Sequence, residues 1–158
     1  MGNLLVCPNN KKLLLTTRTA STSFCEAAMC SFWPDIFIDN NFHPAVFLPT
    51  QEYYDGTQDN VALIVRNPYN RFISSIKHHN LDIDYALNRP KYCPTLPSGN
   101  FVYFKFETEL QGCADWLEIT CQLNHLNESV DTTISLNSEQ LNRFNQIYAN
   151  DIILWENL

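Results

Sequence analysis

A run of five apolar residues, 61–65, constrains the fold of this chain more than any other feature. The run has no polar position, so it lacks the alternation of a strand with one solvated face. It therefore predicts a strand that other elements cover on both faces. Arg66-Asn67-Pro68 ends the run, and Pro68 suits the first turn of a helix. The apolar residues that follow have helical spacing: Tyr69, Phe72, Ile73 and Ile76.

The same order of strand, polar loop and helix occurs near the start of the chain. Residues 11–17 predict a strand, 18–23 form a polar loop, and 24–30 favour a helix. Residues 101–106 predict a third strand. Strands that alternate with helices indicate a three-layer α/β fold with a mainly parallel central sheet flanked by helices, here as one domain over residues 1–158.

The C-terminal third is predicted to be helical. The spacing of apolar residues indicates a helix over 111–123. Asn137, with Gln140 three residues later, has the pattern of a helix start. The apolar residues after it form one stripe: Leu141, Phe144, Ile147, Tyr148 and Ile152.

Charge and composition exclude several classes of protein. The formal net charge is −7, and the ten Lys and Arg residues are scattered, so nucleic acid is not expected as a partner. No apolar run approaches the roughly 18 residues of a membrane span, and residues 1–6 lack the basic start of a signal peptide. The six cysteines lack metal-type CxxC spacing, so we expect them reduced and mostly buried in a cytoplasmic protein without a metal. The oligomeric state is not readable from the sequence.

Ligands of α/β folds bind where strands end, and two loops that carry Arg leave predicted strands there. The first loop places Arg18 and several hydroxyls before a helix, where free backbone N–H groups and the helix dipole favour an anion. Arg18 can hold anionic oxygens with its fork of donors. The alternative is an ordinary helix cap, because Ser and Thr are favoured there. The loop lacks GxxxxGK[ST], so it is not the common NTPase loop.

Residues 18–24, Arg-Thr-Ala-Ser-Thr-Ser-Phe, resemble the 5′-phosphosulfate loop of sulfotransferases that use 3′-phosphoadenosine 5′-phosphosulfate (PAPS). The loop is most similar to that of heparan-sulfate 2-O-sulfotransferases and related carbohydrate enzymes. Many family members have Gly in place of Ala20, and often Trp in place of Ser23. The resemblance implies a sulfotransferase-like fold of the P-loop nucleotide-binding type. It also implies a set of residues around the phosphosulfate: Arg18, Thr19, Ala20, Ser21, Thr22 and Ser23.

Residues 65–74 are similar to the 3′-phosphate motif of the same family, an Arg-x-Pro followed by Ser eight positions after the Arg. Arg66 and Ser74 occupy these two places, with Ser74 about two turns into the predicted helix. A turn that merely ends the strand is the alternative for Arg66-Asn67-Pro68 alone. Arg71 is predicted to be a solvated or ion-paired helix residue.

The resemblance implies a His or Glu base between the two motifs. His43 is our candidate, because it alone in that interval has an unperturbed pKa near neutrality, and Glu52 is the reserve. Arg18 is predicted to stabilise the leaving phosphate. Asn41 stands where the family usually has Lys, and a structural loop histidine is the alternative role for His43. His78-His79 is interpreted as a polar helix end rather than a metal pair.

These patterns together predict a sulfotransferase that uses PAPS, releases adenosine 3′,5′-bisphosphate and needs no metal. Its acceptor is expected to be a carbohydrate or another small molecule, which the sequence does not identify. One alternative is a degenerate nucleotide-binding domain without catalysis, suggested by Asn41 and by the short interval between Arg18 and His43. Another is a small phosphotransferase, which the missing Walker Lys makes less favourable.

Overall fold

The structure, a computed structural model, describes residues 3–35, 51–124 and 133–158. These residues form an α/β fold in which one five-stranded mixed sheet is flanked by helices. The strands are β1 (Asn3–Val6), β2 (Lys12–Leu14), β3 (Gln51–Tyr53), β4 (Val61–Val65) and β5 (Val102–Lys105).

The sheet has the order β3-β1-β2-β4-β5. β2 pairs in parallel with β4, and β4 pairs in parallel with β5. The carboxyl ends of these three strands therefore lie side by side along one edge of the sheet. β1 runs antiparallel to both β2 and β3. The mainly parallel sheet predicted from the sequence is therefore only partly right, since two of the four neighbouring pairs are antiparallel. The reason is a tight hairpin between β1 and β2, in which Cys7 N–H donates to the Lys11 carbonyl at 2.9 Å.

β4 confirms the prediction of a strand covered on both faces, because all five of its residues are buried. Ala62 and Ile64 pack in a core cluster with α1 (Ser21–Phe32) and α4 (Leu110–Trp116). Val61, Leu63 and Val65 pack on the other face. Alternate side chains of a strand point to opposite faces, so a continuous apolar run serves two cores.

The helix after β4, α2 (Pro68–His79), begins and ends as its sequence predicts. Pro68 occupies its first turn, and the Asn67 side chain accepts a hydrogen bond from Asn70 N–H at 3.1 Å. Asn80 ends the helix with a left-handed φ of 50°. Two short helices follow, α3 (Ile83–Leu87) and the 3₁₀ helix Pro90–Tyr92.

The C-terminal stripe belongs to two helices, α5 (Ser138–Ile147) and α6 (Ala149–Glu156). Asn137 and Gln140 form the predicted capping box at the start of α5. Tyr148 separates the helices, and its buried hydroxyl donates to the Cys93 carbonyl at 2.6 Å. α4 ends at Trp116, seven residues before the predicted end of that helix. In the described part of the chain, no helix is long and apolar enough to cross a membrane.

The cysteines differ from the prediction in one respect. Four are buried thiols, and burial raises the pKa of Cys7 and of Cys25 to about 12. Cys30 and Cys121 instead form a disulfide between the end of α1 and the segment after α4. The prediction of six reduced cysteines is therefore wrong for this pair, whose 91-residue separation gives no local signal. Disulfides are uncommon in the cytosol, so the expected cytoplasmic location loses one of its supports.

Candidate anion-binding site

The two loops predicted to bind an anion meet at one edge of the sheet. Arg18 follows β2 and Arg66 follows β4, which are parallel neighbours. Arg18 Nε donates to the Ser74 hydroxyl at 3.0 Å, and Arg66 Nη1 donates to the Arg18 carbonyl at 3.0 Å. Three residues predicted from two separate motifs thus form one group, called here the arginine cluster: Arg18, Arg66 and Ser74.

Arg66 is held in a fixed orientation. Arg66 is only 7% exposed, and its guanidinium carbon lies 4.5 Å from the centre of the Phe106 ring. A guanidinium stacks readily on an aromatic face because the ring has a negative quadrupole there. Phe106 is itself held by its N–H, which donates to the Val65 carbonyl at the end of β4. Arg66 is therefore a preorganised positive charge at the edge of the sheet.

The loop before α1 has an unusual backbone. Arg18 and Ala20 both have φ of 62°, in the left-handed region that residues with a Cβ seldom adopt. Ala20 is the N-cap of α1, and no side chain makes a capping hydrogen bond there. This helix therefore lacks the Ser or Thr cap that the sequence offered as the alternative. Its first-turn N–H groups and the positive end of its dipole favour an anion at this position.

Three of the four hydroxyls of this loop bond to backbone carbonyls of the chain. Thr19 and Ser21 both donate to the Thr16 carbonyl, at 3.0 and 2.8 Å, and Ser23 donates to the Asn124 carbonyl. Thr22 is exposed. Thr19, Ser21 and Ser23 thus hold the loop in shape.

Arg71, three residues before Ser74, belongs to the core rather than to the site. It is 1% exposed, and its Nη2 lies 2.7 Å from the Asp151 carboxylate and 3.0 Å from the Pro94 carbonyl. Asp151 also accepts from Leu96 N–H at 3.1 Å. Burial raises the pKa of Asp151, while Arg71 and that N–H oppose the rise. The ion pair predicted as one alternative for Arg71 is therefore present, and it joins α2 to α6.

Of the two candidate bases, the structure describes only Glu52. His43 lies outside the described residues. Glu52 lies on the edge strand β3, which β1 separates from β2, and its carboxylate pairs with Lys12 Nζ at 3.3 Å. The structure therefore brings together the predicted phosphate-binding residues but does not bring Glu52 to them.

His78 and His79 are exposed at the end of α2, as expected for a polar helix end. Their ring centres lie 4.8 Å apart. Within residues 3–35, 51–124 and 133–158, no group of three or more His, Cys, Asp or Glu residues is placed to hold a metal ion.

Two residues after β5 support the site without having been predicted to do so. Phe106 lies under Arg66. Glu107 accepts from Asn67 N–H at 2.8 Å and from Trp155 Nε1–H at 3.1 Å, so it joins the turn after Arg66 to α6. Their position after the third strand, at the same edge as the other loops, is a sequence signal that points to this site.

Comparison with protein-family models, with curated proteins and with solved structures found no match. What the arginine cluster does is therefore inferred from its residues and their geometry. Two guanidinium groups, a hydroxyl and an uncapped helix start converge at the carboxyl ends of parallel strands. Such an arrangement is suited to a ligand that carries more than one anionic group.

Proposed function

We propose that this chain is a sulfotransferase that transfers the sulfuryl group of PAPS to a hydroxyl or amine of a carbohydrate or another small molecule. The observation that carries the proposal is the contact between the two motifs, in which Arg18 bonds to Ser74 and Arg66 bonds to the Arg18 backbone. A ligand with phosphates at its 3′ and 5′ positions needs two anion sites on one surface. The proposal includes a P-loop nucleotide-binding fold, which is the fold of the enzymes whose phosphosulfate loop residues 18–24 resemble.

The two ends of the cluster have different roles. Arg18, Thr22 and the first-turn N–H groups of α1 bind the 5′-phosphosulfate, while Thr19, Ser21 and Ser23 keep the loop in shape. Arg66 and Ser74 bind the 3′-phosphate. Arg66 is already oriented by Phe106 and by the Arg18 carbonyl, so little conformational freedom is lost when the nucleotide binds.

The chemistry is an in-line displacement at sulfur. The acceptor oxygen or nitrogen forms a new bond to sulfur while the bond from sulfur to the 5′-phosphate oxygen breaks. That oxygen keeps the electron pair, and the product is adenosine 3′,5′-bisphosphate. Arg18 stabilises the charge that develops on the leaving phosphate. His43, as general base, removes the proton from the attacking group of the acceptor. Glu52, on the edge strand, is instead paired with Lys12 of β2.

A transfer assay with ³⁵S-labelled PAPS tests this proposal. Hexoses, oligosaccharides, phenols and amines serve as acceptors, and labelled sulfate ester or sulfamate is the readout. The wild-type chain is expected to give product with at least one class. His43→Ala is expected to lose turnover at least 100-fold and to bind adenosine 3′,5′-bisphosphate as wild type does.

The remaining outcomes separate the alternatives. Nucleotide binding without transfer to any acceptor would favour a degenerate binding domain, and a preference for ATP would favour a phosphotransferase. Full turnover in His43→Ala would overturn the assignment of the base.

A further inference from the structure

A groove separate from the arginine cluster lies where the start of α2 meets α5 and α6. Its volume is about 240 Å³. This is below the roughly 300–1,000 Å³ of pockets for drug-sized ligands, and it suits a single ring. Each of the three helices contributes an apolar side chain and a polar one close by: Tyr69 with Asn67, Leu141 with Asn145, and Trp155 with Glu156.

Trp155 forms a rigid wall of the groove. Its indole N–H donates to Glu107 at 3.1 Å, and Lys105 Nζ lies 4.4 Å from its ring centre. These two contacts restrict the orientation of the ring. A preorganised aromatic face binds a ring ligand at low entropic cost. Leu141, on α5, also lines the groove and is 40% exposed, so part of its apolar surface is available to a ligand.

Charge and polarity restrict the kind of ligand. The groove lining, which lies within the described residues, contains Glu156, and the Lys105 ammonium lies 4.4 Å from the Trp155 ring centre, so the charges at the groove are of both signs and a charged ligand of either sign gains little. A purely apolar ring would cover Asn67, Asn145 and Glu156 without replacing their hydrogen bonds to water, which costs free energy. A phenol is disfavoured for the same reason, because its single hydroxyl cannot bond to all three of these polar side chains. A stable protein interface buries far more surface than a groove of this size offers.

We infer that this groove binds one uncharged sugar residue. One face of the sugar ring packs on Trp155 and Tyr69, and its hydroxyls bond to Asn145, Asn67 and Glu156. The inference is independent of the proposed function, because none of the groove residues belongs to the arginine cluster. Trp155 of the groove bonds to Glu107, which follows β5, whereas Arg18 follows β2, and β4 lies between these two strands in the sheet.

Calorimetric titration of the full chain with methyl glycosides tests the inference. The probes are the methyl glycosides of glucose, galactose, mannose and N-acetylglucosamine, with choline, phenol and glucuronate as comparisons. At least one neutral glycoside is expected to bind with a millimolar or lower Kd and more tightly than all three comparisons. Trp155→Ala and Asn145→Ala are each expected to weaken that binding about tenfold or more, whereas Trp155→Phe keeps an aromatic face and loses less.

Matched controls separate this groove from the rest of the molecule. Ile153→Ala changes another α6 residue, 58% exposed and outside the groove lining, and it is expected to leave glycoside binding unchanged. Ser74→Ala, which belongs to the proposed nucleotide site, is also expected to leave it unchanged. Asn145 is exposed, so its variant is not expected to unfold the protein. The inference is overturned if no neutral glycoside binds, if choline, phenol or glucuronate binds more tightly, or if Trp155→Ala and Asn145→Ala bind as wild type does.

Discussion

Ala20 begins α1 in a backbone conformation that alanine seldom adopts, with φ of 62°. Its Cβ makes this left-handed conformation costly, and glycine removes that cost. Ala20→Gly is therefore expected to raise the free energy of unfolding by about 1 kcal/mol in urea denaturation. Ala28→Gly is the matched control within α1, where glycine is expected to lower stability by about 1 kcal/mol or more. Equal destabilisation by both variants would contradict the strain assigned to Ala20.

Asp151 is the residue whose loss is expected to destabilise the core most clearly. Its carboxylate is buried and lies 2.7 Å from Arg71 Nη2. Because Arg71 is buried as well, water cannot take the place of the carboxylate beside the Arg71 charge. Asp151→Asn is expected to lower the free energy of unfolding by about 3–5 kcal/mol. Asp84→Asn is the control, because Asp84 pairs with Arg143 at an exposed site, where such pairs contribute about 1 kcal/mol or less. Similar effects of the two variants would show that burial does not set the strength of the Arg71–Asp151 pair.

Among the elements, α1 has the candidate anion-binding loop at its start and a disulfide near its end. Cys30 is bonded to Cys121, and the Ser31 hydroxyl accepts from the N–H groups of Thr120 and Cys121 at 3.0 and 2.8 Å. The segment after α4 is therefore tied to α1 by both covalent and polar contacts.

Removal of this link tests its contribution to stability. Replacing both Cys30 and Cys121 by Ser is expected to lower the free energy of unfolding by about 2–4 kcal/mol, because the disulfide restricts a long loop in the unfolded chain. Dithiothreitol should lower the melting temperature of the wild type and leave that of the double variant unchanged. A thiol titration in denaturant should count four free thiols in the unreduced wild type. Six free thiols, or equal stability of the two proteins, would contradict the disulfide.

Elements with strong local signals could be predicted from the sequence, and elements that depend on distant pairing could not. β4 and α2 have an apolar run, a proline and an asparagine cap that agree with one another. β1 has four residues and becomes a strand by pairing with β2 and β3. β3 has three residues and becomes a strand by pairing with β1. The break at Tyr148 has no such signal, because the apolar stripe continues across it. Pairing across long sequence separations also explains why the Cys30–Cys121 disulfide was not predicted.

At the scale of the whole molecule, the sheet order decides whether the candidate site exists. Both motifs were predicted from residues 18–24 and 65–74, but their contact depends on β2 lying next to β4 in parallel. The roles of Phe106 and Glu107 depend likewise on β5 lying next to β4. The net charge of −7 does not prevent anion binding, because the fold collects two Arg residues at one edge.

The central claim is that this edge binds a nucleotide with a phosphate at its 3′ position. The most direct test is the affinity for adenosine 3′,5′-bisphosphate relative to AMP and ATP, measured by calorimetry. The wild type is expected to prefer the bisphosphate over AMP by about 10- to 100-fold, as charged hydrogen bonds to the 3′-phosphate would give. Arg66→Ala and Ser74→Ala are expected to reduce that preference and to leave AMP binding nearly unchanged. Equal affinities for the bisphosphate and AMP, or a preference for ATP, would contradict the claim.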